Sequence, residues 1–263
     1  MSGETTHASL GVYLKTLKLP SFAAEHEALA RTGEEGTWSF QRYLTELCGR
    51  EVADRSERRI ERLLRQSRLP LEKTRETLIE AKLSQKSRRQ LAALYEGTFI
   101  KRAENVLAFG LPGRGKTHAI CALGHELVRK GHTVLFLPAY QLVQQLLAAN
   151  RDLELERALR RLDRYEAVII DDIGYVQQDR EEMEVLFTFL SARYERRSVL
   201  LTSNLVFSQW EKIFKDPMTT ACAIDRLVHH ATILELTGPS FREQEAKRRG
   251  RKQAETRSKG ATE

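Results

Sequence analysis

The segment from Gly110 to Thr117 combines residue types and a spacing that hold phosphate groups. It reads GLPGRGKT and fits G-x-x-x-x-G-K-[ST], in which glycines let backbone N–H groups turn inward around phosphate oxygens. Such a loop needs a strand before it and a helix after it, since the helix N-terminus adds a positive dipole end. The apolar run NVLAF at 105–109 predicts the strand, and residues 117–130 predict the helix. This context disfavours the alternative, a glycine-rich turn that matches by chance.

The polar side chains of this loop predict that it binds a nucleoside triphosphate together with Mg²⁺. Lys116 is expected to reach the β- and γ-phosphates, and the Thr117 hydroxyl is expected to ligate the cation. Two interpretations of Arg114 stay open: contact with phosphate or a neighbouring molecule, and a solvated position at the loop tip. The residues expected to bind the nucleotide are Gly110, Pro112, Gly113, Arg114, Gly115, Lys116, Thr117 and His118.

Two adjacent carboxylates end a second apolar run, AVIIDD at 167–172. In P-loop ATPases a strand end of this type holds an acid near the magnesium ion. We expect Asp171 to hold Mg²⁺ through a water molecule, and Asp172 to orient or activate the attacking water. The alternative is a strand that runs into an acidic turn. Neighbouring carboxylates repel each other, however, and a cation offsets that repulsion.

Three later residues are candidates for the same crevice. Asn204 ends the apolar run LLTSN, and its amide could hold the attacking water or a γ-phosphate oxygen; a turn-forming Asn is the alternative. Arg226, in IDRL, could complete a neighbouring subunit's site or form a surface salt bridge. Arg242, in GPSFR, could close over the γ-phosphate from the same chain. Spacing alone does not justify either arginine assignment.

The elements that must position these residues form an α/β pattern. Five short runs are almost continuously apolar, which is typical of strands covered on both faces by helices. We therefore expect a five-stranded, mostly parallel sheet flanked by helices. The predicted strands are 105–109, 133–138, 167–171, 198–204 and 231–236. The predicted helices between and after them are 117–130, 140–149, 152–164, 181–196 and 220–229.

The first 70 residues predict a small all-helical domain. One helix should end at Leu19-Pro20, a second should run from Ser21 to about Arg31 until Gly33 to Gly36 break it, and a third should span 38–69. The third helix mixes arginines with acids. That mixture fits a solvated helix laced with i,i+4 ion pairs, or a basic face that follows a nucleic-acid backbone.

Composition and charge bound the function class. The chain has 263 residues and a net charge of +7, which favours a polyanionic partner. Neither the cysteines, Cys48, Cys121 and Cys222, nor the pair His229-His230 show metal-ligand spacing. No apolar run approaches the roughly 18 residues of a membrane-spanning helix, and no secretory leader is visible. We expect a soluble, cytoplasmic protein with reduced thiols and no membrane partner.

The motifs GLPGRGKT, VIIDDIGY, LLTSN, IDRLVHH and GPSFR, in this order, resemble the AAA+ ATPases of the IstB/DnaC-like family. The N-terminal pattern, including REVADRSERRIERLLRQSRLP, is similar to the IstB-like members, so the resemblance runs from about Leu14 to Ala246. It implies an AAA+ ATPase that hydrolyses ATP with Mg²⁺ and forms homo-oligomers on duplex DNA. It further implies that the protein assists a partner transposase in insertion-sequence transposition.

The resemblance also implies roles for individual residues. The sequence departs from the family pattern at Asp172, because many AAA+ proteins have Glu at this position. Asp is one methylene shorter than Glu and would hold the attacking water less well, so we expect slow hydrolysis. By position, Lys116 and Thr117 match Walker A, Asp171 the Walker B metal acid, Asp172 the water-activating acid, Asn204 sensor 1, Arg226 a trans-acting arginine finger and Arg242 sensor 2.

The expected domain organisation follows from these patterns. Residues 1–70 form a DNA-binding or assembly domain, 71–100 a connector, 101–246 the AAA+ domain and 247–263 a basic, disordered tail. Two rival functions stay open: a helicase loader in DNA replication, and a nucleotide-gated DNA scaffold with little need for hydrolysis. The subunit number and the residues that contact DNA do not follow from the sequence.

Overall fold

A computed structural model of the chain describes residues 2–175, 180–210 and 217–237. The chain divides into two compact units, residues 1–62 and 63–263. No helix in the described part of the chain is long and apolar enough to cross a membrane.

The first unit is helical. It holds α1 (Ser2–Thr16), α2 (Pro20–Glu35) and most of α3 (Phe40–Ser67). Helix α2 does not break at Gly33, as the sequence suggested, but continues to Glu35. A glycine inside a helix costs about 1 kcal/mol relative to alanine. Here Gly33 is buried, and a Cβ at this position would lie 3.5 Å from the Trp38 ring, so the helix packs closely against the tryptophan at this point.

A buried carboxylate joins two helices of this unit. Glu51 on α3 is only 4% exposed, and one of its oxygens accepts a hydrogen bond of 2.9 Å from the backbone N–H of Ser21, in the first turn of α2. Its other oxygen accepts a hydrogen bond of 2.6 Å from Arg55 Nε. Burial raises the pKa of Glu51, but the hydrogen bonds from Arg55 and Ser21 outweigh burial, and the pKa is lowered overall.

The second unit is built on a five-stranded sheet in the order β2-β3-β4-β1-β5, and every pairing is parallel. The predicted α/β fold is therefore confirmed. Two predicted strands have the observed bounds, and the other three differ by one residue at one end. The strands are β1 (Asn105–Phe109), β2 (Val134–Pro138), β3 (Ala167–Asp171), β4 (Ser198–Ser203) and β5 (Ala231–Glu235).

Helices flank the sheet and alternate with its strands. The helix expected at 152–164 begins late, because Leu153 adopts the left-handed conformation with φ 59° and ends the preceding helix. The helix expected at 220–229 instead begins early, at Pro217, a residue type that is common in the first turn of helices. The helices are α4 (Gln85–Leu94), α5 (Thr98–Lys101), α6 (Lys116–Arg129), α7 (Ala139–Arg151), α8 (Leu155–Leu162), α9 (Arg180–Arg193) and α10 (Pro217–Val228).

Two polar contacts hold the segment before β1 against the sheet. Ser87 Oγ on α4 donates to the Glu235 carbonyl at 2.9 Å, and Gln90 Nε2 donates to the Ile233 carbonyl at 3.1 Å. Both acceptors belong to β5, the strand that borders β1. Helix α4 therefore packs against β5, the neighbour of the strand that leads into the glycine-rich loop.

A buried arginine links three parts of the second unit. Arg193, at the end of α9, is 2% exposed and donates to the carbonyls of Leu162, Tyr165 and Ser198 at 3.0–3.1 Å. Burial lowers its pKa to about 9. The guanidinium thus joins the C-terminal end of α8 and the segment before β3 to the start of β4.

Candidate nucleotide-binding site

The glycine-rich loop lies between the C-terminal end of β1 and the start of α6. Gly110 has φ 153°, and a Cβ here would come within 2.4 Å of the Leu236 carbonyl oxygen. Leu236 N–H in turn donates to Phe109 O at 2.8 Å, so the chain after β5 packs directly on this glycine. Gly115, immediately before α6, has φ 83°, a conformation that L side chains rarely adopt. The local structure therefore requires glycine at both positions.

Lys116 is the first residue of α6 and is only 6% exposed. Its Nζ donates to the Leu111 carbonyl at 3.2 Å, which keeps the ammonium group within the loop. A buried lysine at a helix N-terminus concentrates positive charge where backbone N–H groups also point. The arrangement is suited to a phosphate chain.

A carboxylate and two hydroxyls meet at the ends of three elements. Asp171 Oδ1, at the end of β3, accepts hydrogen bonds from Thr117 Oγ1 at 2.8 Å and from Thr202 Oγ1 at 2.6 Å. Thr117 lies on α6, and Thr202 lies on β4 with no exposed surface. Hydroxyl and carboxylate oxygens are the ligands that Mg²⁺ prefers. Thr117 and Asp171 thus fit a magnesium ion beside the phosphate loop.

Asp172 adopts a left-handed backbone conformation with φ 57°. Its N–H donates to Thr202 Oγ1 at 2.8 Å, so the same threonine contacts both acidic residues. Asp and Asn tolerate this conformation better than other residues with a side chain, because the left-handed region costs them less. The backbone geometry gives a local reason for Asp at this position, where many AAA+ proteins have Glu.

Asn204 lies just after β4, next to Gly174. Its Oδ1 is buried, and no hydrogen-bond partner for it is found in the described part of the chain. A Cβ on Gly174 would lie 2.2 Å from this oxygen, so the glycine leaves room for the amide. An unpaired buried polar atom is costly, and such atoms are frequent where a ligand or water completes the site.

The structure brings most of the predicted site residues to one cavity of about 320 Å³. Residues 112–118, Asp172 and Asn204 line it, and Asp171 reaches its edge through Thr117. The facing wall consists of Lys73, Thr77, Leu78 and Ile79, to which the sequence gave no role in binding. No motif identifies these wall residues, because only tertiary packing places them over the loop.

His118 lines the cavity, but its ring is bonded to that wall. His118 Nε2 lies 3.0 Å from Thr77 Oγ1 and 3.1 Å from the Thr74 carbonyl oxygen. Burial lowers the pKa of His118, and the positive charge of Lys73 acts in the same direction. The hydrogen bond to the Thr74 carbonyl acts in the opposite direction, but it does not offset burial.

The structure does not bring Arg226 to the cavity of its own chain. Its Nη1 donates to Ser191 Oγ, and its guanidinium lies 4.6 Å from the centre of the Phe187 ring, both on α9. Leu227, the next residue, accepts a hydrogen bond of 3.1 Å from Asn105 Nδ2 at the start of β1. The glycine-rich loop follows the other end of that strand, about 13 Å away along its axis. No ion pair between Arg226 and an acid occurs within residues 2–175, 180–210 and 217–237.

The last predicted site residue, Arg242, lies outside the described residues. The pair His229-His230 does have a neighbouring acid that sequence spacing could not show, since Glu195 Oε1 lies 3.4 Å from His230 Nε2. All three side chains are about half exposed, and the Tyr194 hydroxyl already contacts His229 Nδ1 at 2.8 Å.

The charged helix α3 contains the ion pairing expected of a solvated helix, and its basic face along nucleic acid stays a prediction. Arg55 pairs with Glu51 at i,i+4 spacing. Arg62 and Arg65, by contrast, are exposed and have no acidic partner in the described part of the chain.

The chain is similar to known proteins over nearly its whole length. A family model described as IstB-like ATP binding protein matches residues 12–249. A Sinorhizobium fredii protein, y4iQ/y4nD/y4sD, named as an insertion sequence ATP-binding protein, is 41% identical over 97% of this chain and 87% of its own length. The ATP-binding protein named for insertion sequence IS21, from Pseudomonas aeruginosa, is 36% identical over 92% of this chain and 91% of its own.

Among solved structures, DnaI matches with a TM-score of 0.54 and 20% sequence identity, over 65% of this chain and 96% of that chain. The crystal structure of the DnaC helicase loader matches with a TM-score of 0.51 and 15% identity, over 58% of this chain and 89% of that chain. At these identities the likeness concerns the fold, which is that of an AAA+ P-loop domain.

Proposed function

The chain belongs to the IstB-like ATP-binding protein family, and from this membership we propose that it is an ATPase that assembles on duplex DNA and assists a partner transposase in insertion-sequence transposition. The family binds ATP, and the names of its relatives connect it with insertion sequences. The observation that carries the catalytic part is the contact of Asp171 with both Thr117 and Thr202 beside the phosphate loop.

The site residues have separate tasks in this proposal. Lys116 and the backbone N–H groups of the loop bind the phosphate chain of ATP. Mg²⁺ held by Thr117 and Asp171 would neutralise the charge on the phosphate oxygens. Asp172 accepts a proton from, or orients, the attacking water, and the Asn204 amide holds that water or the γ-phosphate from the other side.

A neighbouring subunit completes the site. Arg226 lies toward the opposite end of β1 from its own cavity, so it can act on a nucleotide only in another copy of the chain. An arginine supplied in trans is worth about 10³–10⁵ in turnover where it has been measured in GTPases. Homo-oligomer formation is therefore part of the proposal.

The decisive experiment measures phosphate release and duplex-DNA binding with and without ATP, over a range of salt concentrations. We expect duplex DNA to stimulate hydrolysis, and log affinity for DNA to fall linearly with log salt, as neutralised phosphates require. Lys116→Ala should abolish both activities, whereas Lys101→Ala, which alters an exposed lysine outside the cavity, should leave both unchanged. Binding that is independent of ATP, or a salt slope near zero, would refute the proposal.

Two further arms separate the rival functions. A preference for single-stranded DNA, together with association with a replicative helicase rather than the transposase, would indicate a helicase loader. Asp172→Asn removes the carboxylate but keeps a residue that tolerates the left-handed conformation. If Asp172→Asn supports transposition fully while Lys116→Ala does not, the protein is a nucleotide-gated scaffold.

A further inference from the structure

The wall of the cavity is a short turn that three backbone groups and one hydroxyl hold together. Thr77 Oγ1 accepts a hydrogen bond of 3.0 Å from the Thr74 N–H and donates to the Glu72 carbonyl at 2.7 Å, and the Thr74 carbonyl oxygen lies 3.1 Å away. The next two residues, Leu78 and Ile79, face the cavity. Within residues 70–80 these contacts are local, so they shape the turn but do not fix it against the phosphate loop.

His118 supplies a connection between this turn and the phosphate-binding helix. As the tautomer protonated at Nε2, it donates to the Thr74 carbonyl, and the Thr77 hydroxyl lies within reach of the same N–H. The ring projects from α6 directly after Thr117. Any movement of the turn away from the loop must therefore break the contacts of His118.

We infer that His118 is a positioning residue, which fixes the turn of Lys73, Thr77, Leu78 and Ile79 so that the turn contacts the nucleoside of ATP. It is not a phosphate ligand. The inference rests on the ATP binding of the family and not on the proposed hydrolysis or DNA binding.

The distribution of polar groups in the cavity indicates which part of ATP meets the turn. Asp172 and Asn204 lie near the end where Thr117 meets Asp171, which is suited to the terminal phosphate. The turn contributes the apolar side chains of Leu78 and Ile79, and Ile79 is 51% exposed. Apolar side chains with a few polar groups are typical of the surface that receives the uncharged part of a ligand.

The chain offers a matched control for a purely structural effect. His125 lies further along α6, is 4% exposed, and its Nε2 is 3.0 Å from the Pro70 carbonyl oxygen. It thus joins the same helix to the same connecting segment, but it does not line the cavity. Loss of His125 should reduce stability without changing the wall beside the nucleotide.

The experiment titrates MgADP and magnesium tripolyphosphate against the full-length wild type and three variants by calorimetry. We expect His118→Ala to weaken ADP about tenfold, equivalent to about 1.4 kcal/mol, while the affinity for tripolyphosphate stays within about twofold. His118→Gln, which places an amide N–H near the position of Nε2, should restore most of the ADP affinity. His125→Ala should leave both affinities unchanged and lower the melting temperature.

Several outcomes would overturn the inference. An equal loss of ADP and tripolyphosphate affinity would make His118 a phosphate contact, and an unchanged ADP affinity would leave the wall without a role. Should His118→Ala not fold, Thr77→Val removes the same hydroxyl contact, and it should weaken ADP while the affinity for tripolyphosphate stays within about twofold. Equal loss of both affinities in this variant would also overturn the inference. If the wild type binds ADP but does not hydrolyse ATP, the proposed function fails and the binding series still decides this question.

Discussion

At the scale of single residues, the clearest feature that the sequence did not indicate is the role of Thr202 in holding the two acids. Its hydroxyl donates to Asp171 and accepts from the N–H of Asp172, so one buried side chain sets the positions of both acids. The run LLTSN indicated Asn204, because Asn stands at the end of the strand. Nothing in the sequence shows that the threonine two residues earlier points at β3, since strand register is a property of the folded sheet.

Replacing Thr202 with valine should slow ATP hydrolysis and leave nucleotide affinity nearly unchanged. Valine has the same shape but cannot hydrogen-bond, so Asp172 loses its anchor and the water-orienting group is misplaced. We expect kcat to fall about 10- to 100-fold, the scale of losses from misplaced catalytic groups. Steady-state phosphate release and calorimetric binding of ADP measure the two effects.

Ser198→Ala is the appropriate control for this variant. Ser198 lies at the other end of β4, is equally buried, and its hydroxyl has no hydrogen-bond partner in the described part of the chain. An equal loss of kcat in both variants would mean that Thr202 merely stabilises the strand.

At the scale of elements, the strands followed from the sequence and the contacts at their ends did not. Near-continuous apolar runs such as AVIID identify buried parallel strands well, because helices cover both faces of the sheet. The predicted start of α8 was wrong. The chain turns at Leu153 in the left-handed conformation, and no glycine stands there to indicate such a turn in the sequence. The sequence also did not indicate that residues 73–79 face the P-loop. These residues carry no motif, and they reach the cavity only through tertiary packing, including their contacts with His118 on α6.

Arg193 is expected to be essential for the stability of the second unit. Arg193→Leu removes donors to four carbonyls, of which that of Ser198 is fully buried, and a buried acceptor left unsatisfied costs about 1–3 kcal/mol. The melting temperature should therefore fall by many degrees, as differential scanning calorimetry would record. Arg196→Ala breaks only an ion pair with Asp163 in which the arginine is exposed, and should cost less than about 1 kcal/mol. Similar melting temperatures for the two variants would contradict this assignment.

Glu51 should make the first unit sensitive to acid. Its pKa is lower in the folded than in the unfolded chain, so its contribution to stability is present above the unfolded pKa of about 4.3 and is lost as pH falls through the folded pKa. Glu51→Gln should destabilise this unit at pH 7. The difference between the unfolding free energies of the wild type and the variant should shrink toward pH 3.

The tryptophans allow this measurement on one unit. The chain has two, Trp38 in the first unit and Trp210 in the second. In a Trp210→Phe background, urea unfolding followed by Trp38 fluorescence reports on α2 and α3. A difference that stays constant from pH 7 to pH 3 would show that Glu51 does not titrate with folding.

At the scale of the whole molecule, the proposed trans role of Arg226 predicts complementation between two inactive variants. Lys116→Ala cannot bind ATP productively, and Arg226→Ala cannot complete a neighbour's site. In a mixed oligomer some interfaces join an intact cavity to an intact arginine, so activity should reappear when the two variants are combined. Phosphate release should rise with the mixing ratio and be greatest at intermediate ratios.

The control for this mixture replaces Arg226→Ala with a second cavity variant. Asp172→Asn and Lys116→Ala both damage the same side of the interface, so their mixture should remain inactive. If the first mixture also shows no recovery, Arg226 does not act between subunits.

The placement of the cavity and Arg226 toward opposite ends of β1 has a consequence for growth of the assembly. If Arg226 acts on a neighbour's nucleotide as proposed, subunits must join head to tail, so their contacts would be heterologous and the assembly would have polarity. Unless such an array closes on itself, one terminal subunit keeps an unfinished cavity. In an open array that subunit would hydrolyse ATP more slowly than the rest, so bound ATP would persist longest at one end of the assembly.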